Sequence, residues 1–256
     1  MKMTENKKYE LTNETKERCG YTLHRIRALK DFGAVKAGEL GGWIESEHNL
    51  SQGGDCWIYD NATVYDNARV CDNATVFDNA RVCDNATVFD NATVYDSATV
   101  CDNARVGDNA RVCDNARVCD NATVYDSATV CDNARVCDNA TVCDNATVGD
   151  NARVCGYATV CGYAAVYGYA TVCGYAAVRD TATVFDETDY AAVQGFGREQ
   201  RTTAFYRLKD GEIGVSCGCF HGTIKQFRDK VKKTHGGSKY AEEYLIIADL
   251  MELHFG

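Results

Sequence analysis

A six-residue pattern of apolar and polar positions fills the middle of the chain. From Ile58 to Val184 a Val or Ile returns every six residues without interruption, giving 22 repeats based on V-x-D-N-A-x. An unbroken internal repeat of this kind is typical of a solenoid, in which each coil stacks on the next. Because side chains alternate between the two faces of a strand, Ala and Val of each A-x-V triplet are predicted to form the core.

The other repeat positions are predicted to face outward or to turn the chain. Thr or Arg stands between Ala and Val, and Tyr, Cys, Phe or Gly follows Val. The Asp-Asn pair supplies the corner, because both residues tolerate left-handed backbone and form local hydrogen bonds.

The position after Val indicates how many repeats make one coil. When every third repeat is placed in one column, one column of this position is nearly uniform, whereas the other two columns are mixed. The uniform column is Tyr65, Cys83, Cys101, Cys119, Cys137, Cys155 and Cys173. We therefore predict three repeats per coil and about seven coils.

The repeat resembles that of the left-handed parallel β-helix proteins of the hexapeptide-repeat superfamily. This resemblance covers about half the chain and implies left-handed coiling, a triangular cross-section and frequent trimerisation. The predicted fold is mainly β: a left-handed parallel β-helix of about seven triangular coils with an N-terminal cap and a small C-terminal α+β domain. A fold of this kind hosts many functions, so it does not by itself specify one.

Three regions follow from where the repeat begins and ends. Residues 1–54 are predicted to be the N-terminal cap, 55–190 the solenoid, and 191–256 the C-terminal domain. Within that domain, 202–217 is predicted to form a hairpin. A first helix is predicted to begin at Thr223, which forms a capping box with Gln226, and a second to begin at Ser238.

The flanks carry a second resemblance. Tyr21 to Gly33 (YTLHRIRALKDFG), Leu40 to Glu45 (LGGWIE) and Val215 to Thr223 (VSCGCFHGT) look like segments of uncharacterised repeat proteins of bacteriophages and prophages. The resemblance implies a phage-associated gene and supplies no catalytic residue.

Charge and cysteine content indicate which binding partners and which cellular compartment to expect. The chain has a net charge of −10, and residues 55–195 hold 21 acidic and 8 basic side chains, so the repeats would repel nucleic acid. The polar start and the lack of a long apolar run predict a cytoplasmic protein without a membrane segment, in the host cytosol if phage-encoded. Eleven of the fifteen cysteines occupy one repeat position, which favours reduced thiols over disulfides.

The histidines argue against the chemistry that the first resemblance implies. Hexapeptide-repeat acyltransferases use a histidine to deprotonate the acceptor, and the related zinc hydratases use three as ligands. The five histidines of this chain all lie outside the repeats: His24, His48, His221, His235 and His254. We therefore expect no enzyme, no catalytic residue and no cofactor, with a hexapeptide-type acyltransferase as the alternative.

Two groups of cysteines raise the question of a metal site. The cysteine column is a straight ladder, which cannot converge on one zinc ion, and its spacing does not suit disulfides. Cys217, Cys219 and His221 alternate in the sequence and could project from one face of a strand. A zinc site there needs a fourth ligand, so the expectation is no metal, with these three residues as the alternative.

The repeat departs from its own rule near the C-terminal domain, where Tyr replaces the corner Asn. Such departures mark candidate functional sites. The candidate ligand-binding residues are Tyr157, Tyr163, Tyr169, Tyr175, Arg153 and Arg179. Their aromatic rings could stack on a planar group and their guanidinium groups could pair with an anion.

These observations lead to a functional expectation with alternatives. The protein is expected to be a non-enzymatic, phage-type binding or scaffold protein that sequesters a small, anionic, nucleotide-like defence signal or captures a host protein. The alternatives are the acyltransferase and a structural component of a virion or filament. Exposed aromatic and cysteine side chains on every face predict a homo-oligomer, most simply a trimer.

Overall fold

A computed structural model describes residues 7–256 of the chain. Residues 1–6, which hold half of the polar start used in the prediction above, lie outside the described residues. In the described part, no helix has both the length and the apolar character needed to cross a membrane.

The repeats form a β-solenoid with three parallel sheets. Each short strand pairs in register with the strand three repeats further along, as Val100 does with Val118 and Val118 with Val136. The prediction of three repeats per coil is confirmed. The strands, β4 to β25 in chain order, are Trp57–Ile58, Thr63–Val64, Arg69–Val70, Thr75–Val76, Arg81–Val82, Thr87–Val88, Thr93–Val94, Thr99–Val100, Arg105–Val106, Arg111–Val112, Arg117–Val118, Thr123–Val124, Thr129–Val130, Arg135–Val136, Thr141–Val142, Thr147–Val148, Arg153–Val154, Thr159–Val160, Ala165–Val166, Thr171–Val172, Ala177–Val178 and Thr183–Val184.

The core of the solenoid is a column of small apolar side chains. The first Ala and the Val of each A-x-V triplet from Ala62 to Val184 are at most 1 % exposed. Burial of apolar surface is the main favourable term in folding, so this column stabilises the stack of coils.

The corner Asp holds consecutive coils together. Asp residues 60 to 150 at this position have φ between +52° and +60°. Most of these carboxylates accept a hydrogen bond from the amide one coil further on; Asp102 Oδ2, for example, accepts from Asp120 N at 3.3 Å. Gly takes the same backbone conformation at 156, 162, 168 and 174. This confirms the Asp-Asn corner.

The solenoid has about eight coils rather than seven. An additional coil precedes the regular repeats, in which strand β3 (Leu40–Ile44) pairs with Thr63–Val64 and Leu50 bridges to Val70. The separations from Ile44 to Val64 and from Leu50 to Val70 are longer than that from Val64 to Val82, so this coil is slightly longer than the others. Because of this longer spacing, the coil does not follow the strict six-residue period and was not predicted.

A hairpin closes the N-terminal end. Strands β1 (Tyr9–Arg18) and β2 (Tyr21–Ala28) pair with each other, and β2 pairs antiparallel with β3. Trp57 is fully buried beneath the rings of Tyr9 and Phe32, at centroid distances of 6.1 and 5.3 Å. The aromatic side chains thus cover the end of the core.

The C-terminal region is a four-stranded sheet with two helices. Strands β26 (Tyr190–Phe196), β27 (Arg201–Arg207), β28 (Ile213–Cys217) and β29 (Phe220–Thr223) form an antiparallel sheet in chain order. The predicted hairpin is thus the centre of a larger sheet, since 190–196 and 220–223 are also strands. Helices α1 (Ile224–His235) and α2 (Lys239–Phe255) begin after Thr223 and Ser238, as predicted, and Thr223 forms the capping box with Gln226.

Strand β27 joins this region to the last coil. Its Ala204 and Tyr206 are buried in the same apolar cluster as the solenoid core, and Leu208 bridges to Ala182. The C-terminal sheet therefore covers the second end of the solenoid.

Candidate functional site

A turn between β26 and β27 separates two cavities in the C-terminal region. Gly197 N donates to Glu243 Oε2 of α2 at 2.9 Å, and Tyr244 Oη donates to the Phe196 carbonyl at 3.4 Å. Gly197 has φ +71°, and a Cβ there would lie 2.1 Å from Tyr244 Oη. Helix α2 thus fixes the turn that carries Arg198 and Glu199.

The first cavity, the junction cleft, lies between the last coils and the C-terminal sheet. It has a volume of about 420 Å³. Its lining includes Tyr175, Arg179, Gln194, Glu199, Gln200, Arg201 and Thr202. Among the described residues, neither Arg179 nor Arg201 has an acidic partner within 4 Å. Both guanidinium groups are therefore available to an anion.

An aromatic stack stands beside this cleft. The rings of Tyr157 and Tyr175 are parallel within 1°, with centroids 4.9 Å apart, and Tyr175 is 62 % exposed. Stacked rings that keep one face in water can accept a further planar group.

The second cavity, the C-terminal groove, lies between the sheet and the helices and has a volume of about 300 Å³. Phe220, Phe227 and Val231 form an apolar wall. His235, the last residue of α1, is half-buried at the groove, with its ring 5.8 Å from that of Tyr244. The basic side chains that line this groove are Arg198, Arg201 and Lys230.

The two cavities are adjacent, because Glu199 and Arg201 line both. Burial raises the pKa of Tyr244 to about 12, so its hydroxyl remains protonated at neutral pH. The groove thus combines an imidazole, a neutral phenol, an apolar wall and basic side chains. Such a set can bind an elongated anion and remove a proton from a second molecule.

The predicted tyrosines do not form one site. Tyr157 and Tyr175 lie three repeats apart at the same corner, whereas Tyr163 and Tyr169 follow the other two sheets and lie at the other two corners. The structure therefore brings Tyr157 and Tyr175 together and leaves Tyr163 and Tyr169 apart from them. Of the predicted arginines, Arg179 lines the junction cleft, but Arg153 projects from a different sheet beside Arg135 and Thr171.

A third, wider cavity lies at the corner of Tyr163 and has a volume of about 840 Å³. Its guanidinium group, that of Arg207, is already engaged: it donates to Asp189 Oδ1 at 3.0 Å and to the Phe255 carbonyl at 2.9 Å. Lys209, the other basic side chain of its lining, has no acidic partner within 4 Å among the described residues, so this cavity offers an anion one free amine where the junction cleft offers two free guanidinium groups.

The alternative metal residues do not share one strand. Cys217 ends β28 and pairs with Phe220 across a tight turn that contains Cys219, so His221 lies on β29 opposite Ser216. The alternation seen in the sequence is broken by this turn. The Cys217 thiol instead accepts from Thr203 Oγ1 at 3.2 Å.

The cysteine ladder is buried except at its C-terminal end, where Cys173 is exposed. Cys83, Cys101, Cys119, Cys137 and Cys155 are between 4 and 9 % exposed and form one cluster with Leu23, Trp43 and Tyr65. They point away from the core, but the residues one coil above and below cover them. In a neighbouring column, burial raises the pKa of Cys113 to about 11 and of Cys131 to about 12. These two thiols therefore remain protonated at neutral pH.

Thiols and carboxylates approach one another at some corners. In three groups the possible ligand atoms lie within 4.8 Å of one another: Cys143, Asp144 and Cys161; Asp96, Cys113 and Asp114; Asp120, Cys137 and Asp138. In the last two groups the first carboxylate already accepts from the amide of the third residue, at 3.3 and 3.2 Å. The stacking of coils is sufficient to explain this proximity.

Sequence reasoning missed most residues of both cavities. Arg198, Glu199 and Arg201 stand in the charged segment GREQR that follows the end of the repeat, a signal that the sequence does contain. In the sequence, His235 appears only as one of five histidines outside the repeats. Its place beside Tyr244 depends on how the two helices pack.

Comparison with known proteins supports the solenoid. Five segments match the family model described as "YdcK Beta solenoid repeat": 58–70, 68–82, 80–96, 116–132 and 134–150. A protein of Escherichia coli (strain K12) named "Uncharacterized acetyltransferase YdcK" is 51 % identical over 47 residues. That stretch is 18 % of this chain and spans only 14 % of the relative.

The chain therefore contains segments similar to the YdcK β-solenoid repeat, and one short stretch of it is similar to a protein that is named an acetyltransferase. Neither match supports the expected phage association. The expected trimer and the expected host partner remain predictions.

Proposed function

We propose that the protein is an acyltransferase whose reaction takes place in the C-terminal groove. The name of the E. coli relative supports acyl transfer, although the matched stretch is short. The observation that carries the proposal is the half-buried imidazole of His235 in a groove with an apolar wall and basic side chains.

The position of His235 bears on the lack of a histidine in the repeats, which argued against acyl transfer. The coils contain no histidine, so a general base on the coils is not expected. The C-terminal region supplies an imidazole from outside the repeats, at the end of α1. The alternative function is therefore better supported than the non-enzymatic one.

The proposed donor is a coenzyme A thioester. Its flexible arm and acyl group would lie along Phe220, Phe227 and Val231, and its phosphates would pair with Arg198, Arg201 and Lys230. Charge-assisted hydrogen bonds from guanidinium groups to phosphate are strong and directional.

The proposed acceptor is an amine or alcohol that enters through the junction cleft. His235 takes a proton from the acceptor as its nitrogen or oxygen attacks the thioester carbonyl. The tetrahedral intermediate then collapses, the carbon–sulfur bond breaks, and the proton passes to the leaving thiolate. The products are the acylated acceptor and the free coenzyme A thiol.

The test is turnover of acetyl-coenzyme A with a panel of amines and alcohols. Products should be followed by mass spectrometry, because the protein's own fifteen cysteines would react with thiol reagents. We expect His235→Ala to lower kcat by about 10²-fold or more, as is usual for loss of a general base. Arg201→Gln should chiefly raise the KM for the donor.

The matched control is His221→Ala. His221 is exposed on β29 and does not line the groove, so this variant should retain the wild-type rate. Turnover that is equally slow in both histidine variants, or that is undetectable with every acceptor while the donor still binds, would contradict acyl transfer.

A second candidate function is binding of a planar anion without chemistry. It is favoured by the Tyr157–Tyr175 stack beside the unpaired Arg179 in the junction cleft. Tyr175→Ala and Arg179→Gln should each weaken binding of a nucleotide such as AMP, whereas Tyr169→Ala, at another corner, should not. Binding of AMP without any acyl transfer would favour this function over the first.

A further inference from the structure

A polar pocket lies at the opposite end of the solenoid, where the tip of the N-terminal hairpin arches over the outer face of a sheet. The ring of Tyr21 packs at a tilt against that of Tyr65, with centroids 5.2 Å apart, and its hydroxyl donates to Asp66 Oδ2 at 3.1 Å, which fixes the tip. The pocket beneath has a volume of about 410 Å³.

Three basic side chains line this pocket. Lys16 and Arg18 come from β1, and Arg81 comes from β8 of the solenoid. Asn79, Ser97 and Thr99 add amide and hydroxyl groups. Lys16 Nζ lies 4.4 Å from the Trp43 ring and donates to the Asn61 carbonyl at 3.3 Å.

No acidic side chain of the described residues lies within 4 Å of the charged nitrogens of these three residues. The carboxylates of Asp60 and Asp78 each accept a hydrogen bond from an amide of the next coil, at 3.4 Å, and neither lies within 4 Å of these charged nitrogens. Clustered cations without a counter-charge repel one another, and an anion between them would relieve that repulsion.

Buried hydrogen-bond donors without a partner also lie at this pocket. The Nε atoms of Arg18 and Arg81 are buried and have no hydrogen-bond partner among the described residues. Thr63 Oγ1, on the rung beside Arg81, is also buried without a partner. A buried donor without an acceptor costs free energy, so such donors are usually satisfied by a ligand or water.

We propose that this pocket binds a tetrahedral oxyanion, the phosphate or sulfate group of a small molecule. Arg18 and Arg81 offer planar donors to its oxygens, and Lys16 adds a third positive charge. The site is built from the hairpin and the first coils, so it does not depend on the proposed acyl transfer at the other end.

The experiment is calorimetric titration at low salt with inorganic phosphate, sulfate and acetate. We expect saturable binding of phosphate and sulfate, and much weaker binding of the planar, singly charged acetate. Arg81→Gln should weaken phosphate binding by about tenfold or more, because a hydrogen bond to a charged group is lost.

The matched control is Arg135→Gln. Arg135 has the same repeat position in the same sheet, three coils further along, and lies outside the pocket. It should bind phosphate like the wild type. Lys16→Gln repeats the test from the hairpin side, in case Arg81→Gln lowers the melting temperature.

Absence of saturable phosphate binding would overturn the proposal. So would equal losses in the Arg81 and Arg135 variants, or acetate binding as tight as that of phosphate. A preference for phosphate over sulfate would identify a phosphorylated ligand, and the reverse a sulfated one, both within the proposed site.

Discussion

Val118 shows how individual residues sustain the coils. Its side chain is fully buried between those of Val100 and Val136. We expect Val118→Asp to lower the free energy of unfolding by several kcal/mol, because it buries an unpaired charge. Thr123→Ser, at an outward position of the next strand, should change it by less than about 0.5 kcal/mol. Thermal melts of both variants check this, and equally mild effects would contradict the assignment of inward and outward positions.

The corner Asp affects stability in two ways: its carboxylate accepts a hydrogen bond and its backbone is left-handed. Two substitutions can separate these effects. Asp120 has φ +60° and its carboxylate accepts from Asp138 N at 3.2 Å. Both Asp120→Gly and Asp120→Ala lose the acceptor, but the Gly variant also removes the Cβ, which is unfavourable in the left-handed region, whereas the Ala variant keeps it. We expect the Ala variant to be less stable than the Gly variant by about 1 kcal/mol in denaturant titrations. Equal stabilities would show that the backbone conformation contributes little.

At the scale of elements, the turn between β26 and β27 is the most constrained connection near the groove. Gly197→Ala would place a Cβ against Tyr244, whereas at Gly195, also at positive φ (+89°), there is open space. We expect both variants to lose about 1 kcal/mol from backbone strain, and Gly197→Ala to lose clearly more. Melting temperatures give the comparison. A Gly195 variant as unstable as the Gly197 variant would rule out the contact with Tyr244 as the cause.

Lys16 of the N-terminal hairpin is expected to make the stability of the protein depend on pH. Burial, and then the charges of Arg18 and Arg25, lower the pKa of Lys16 to about 8 from its usual 10.5. The folded state therefore disfavours the charged lysine; the penalty is complete below pH 8 and is relieved as the pH rises towards 10.5. The stability of the wild type relative to Lys16→Gln should increase over this interval. A constant difference between the two would contradict the lowered pKa.

The elements differ in how far the sequence predicts them. The period predicts the strands, the corners and the coil length, because every position recurs in the same environment. With three repeats per coil, the period also places Tyr157, Tyr163 and Tyr169 at three different corners. The prediction of one shared site overlooked this, because all three residues lie close to the C-terminal region in the sequence. Burial of the cysteine ladder depends on the coils above and below, and the groove joins residues from 198 to 244. Neither follows from local pattern.

At the scale of the whole molecule, the two ends of the solenoid differ in chemistry. The N-terminal hairpin covers one end and forms a pocket of unpaired cations, and the C-terminal sheet covers the other and forms the groove beside it. Helix α2 also exposes Ile246, Leu250 and Leu253 at spacings that place them on one face. The coils between the ends share a uniform core of Ala and Val.

Hydrogen–deuterium exchange with saturating coenzyme A tests the central claim most directly, because it locates the donor without requiring the acceptor. We predict slower exchange in peptides covering 197–203 and 227–236, which hold the turn and the end of α1, with the coils unchanged. Arg201→Gln should abolish this protection at the same ligand concentration. Protection confined to the coils, or none under conditions where coenzyme A is bound, would contradict a donor site in the C-terminal groove.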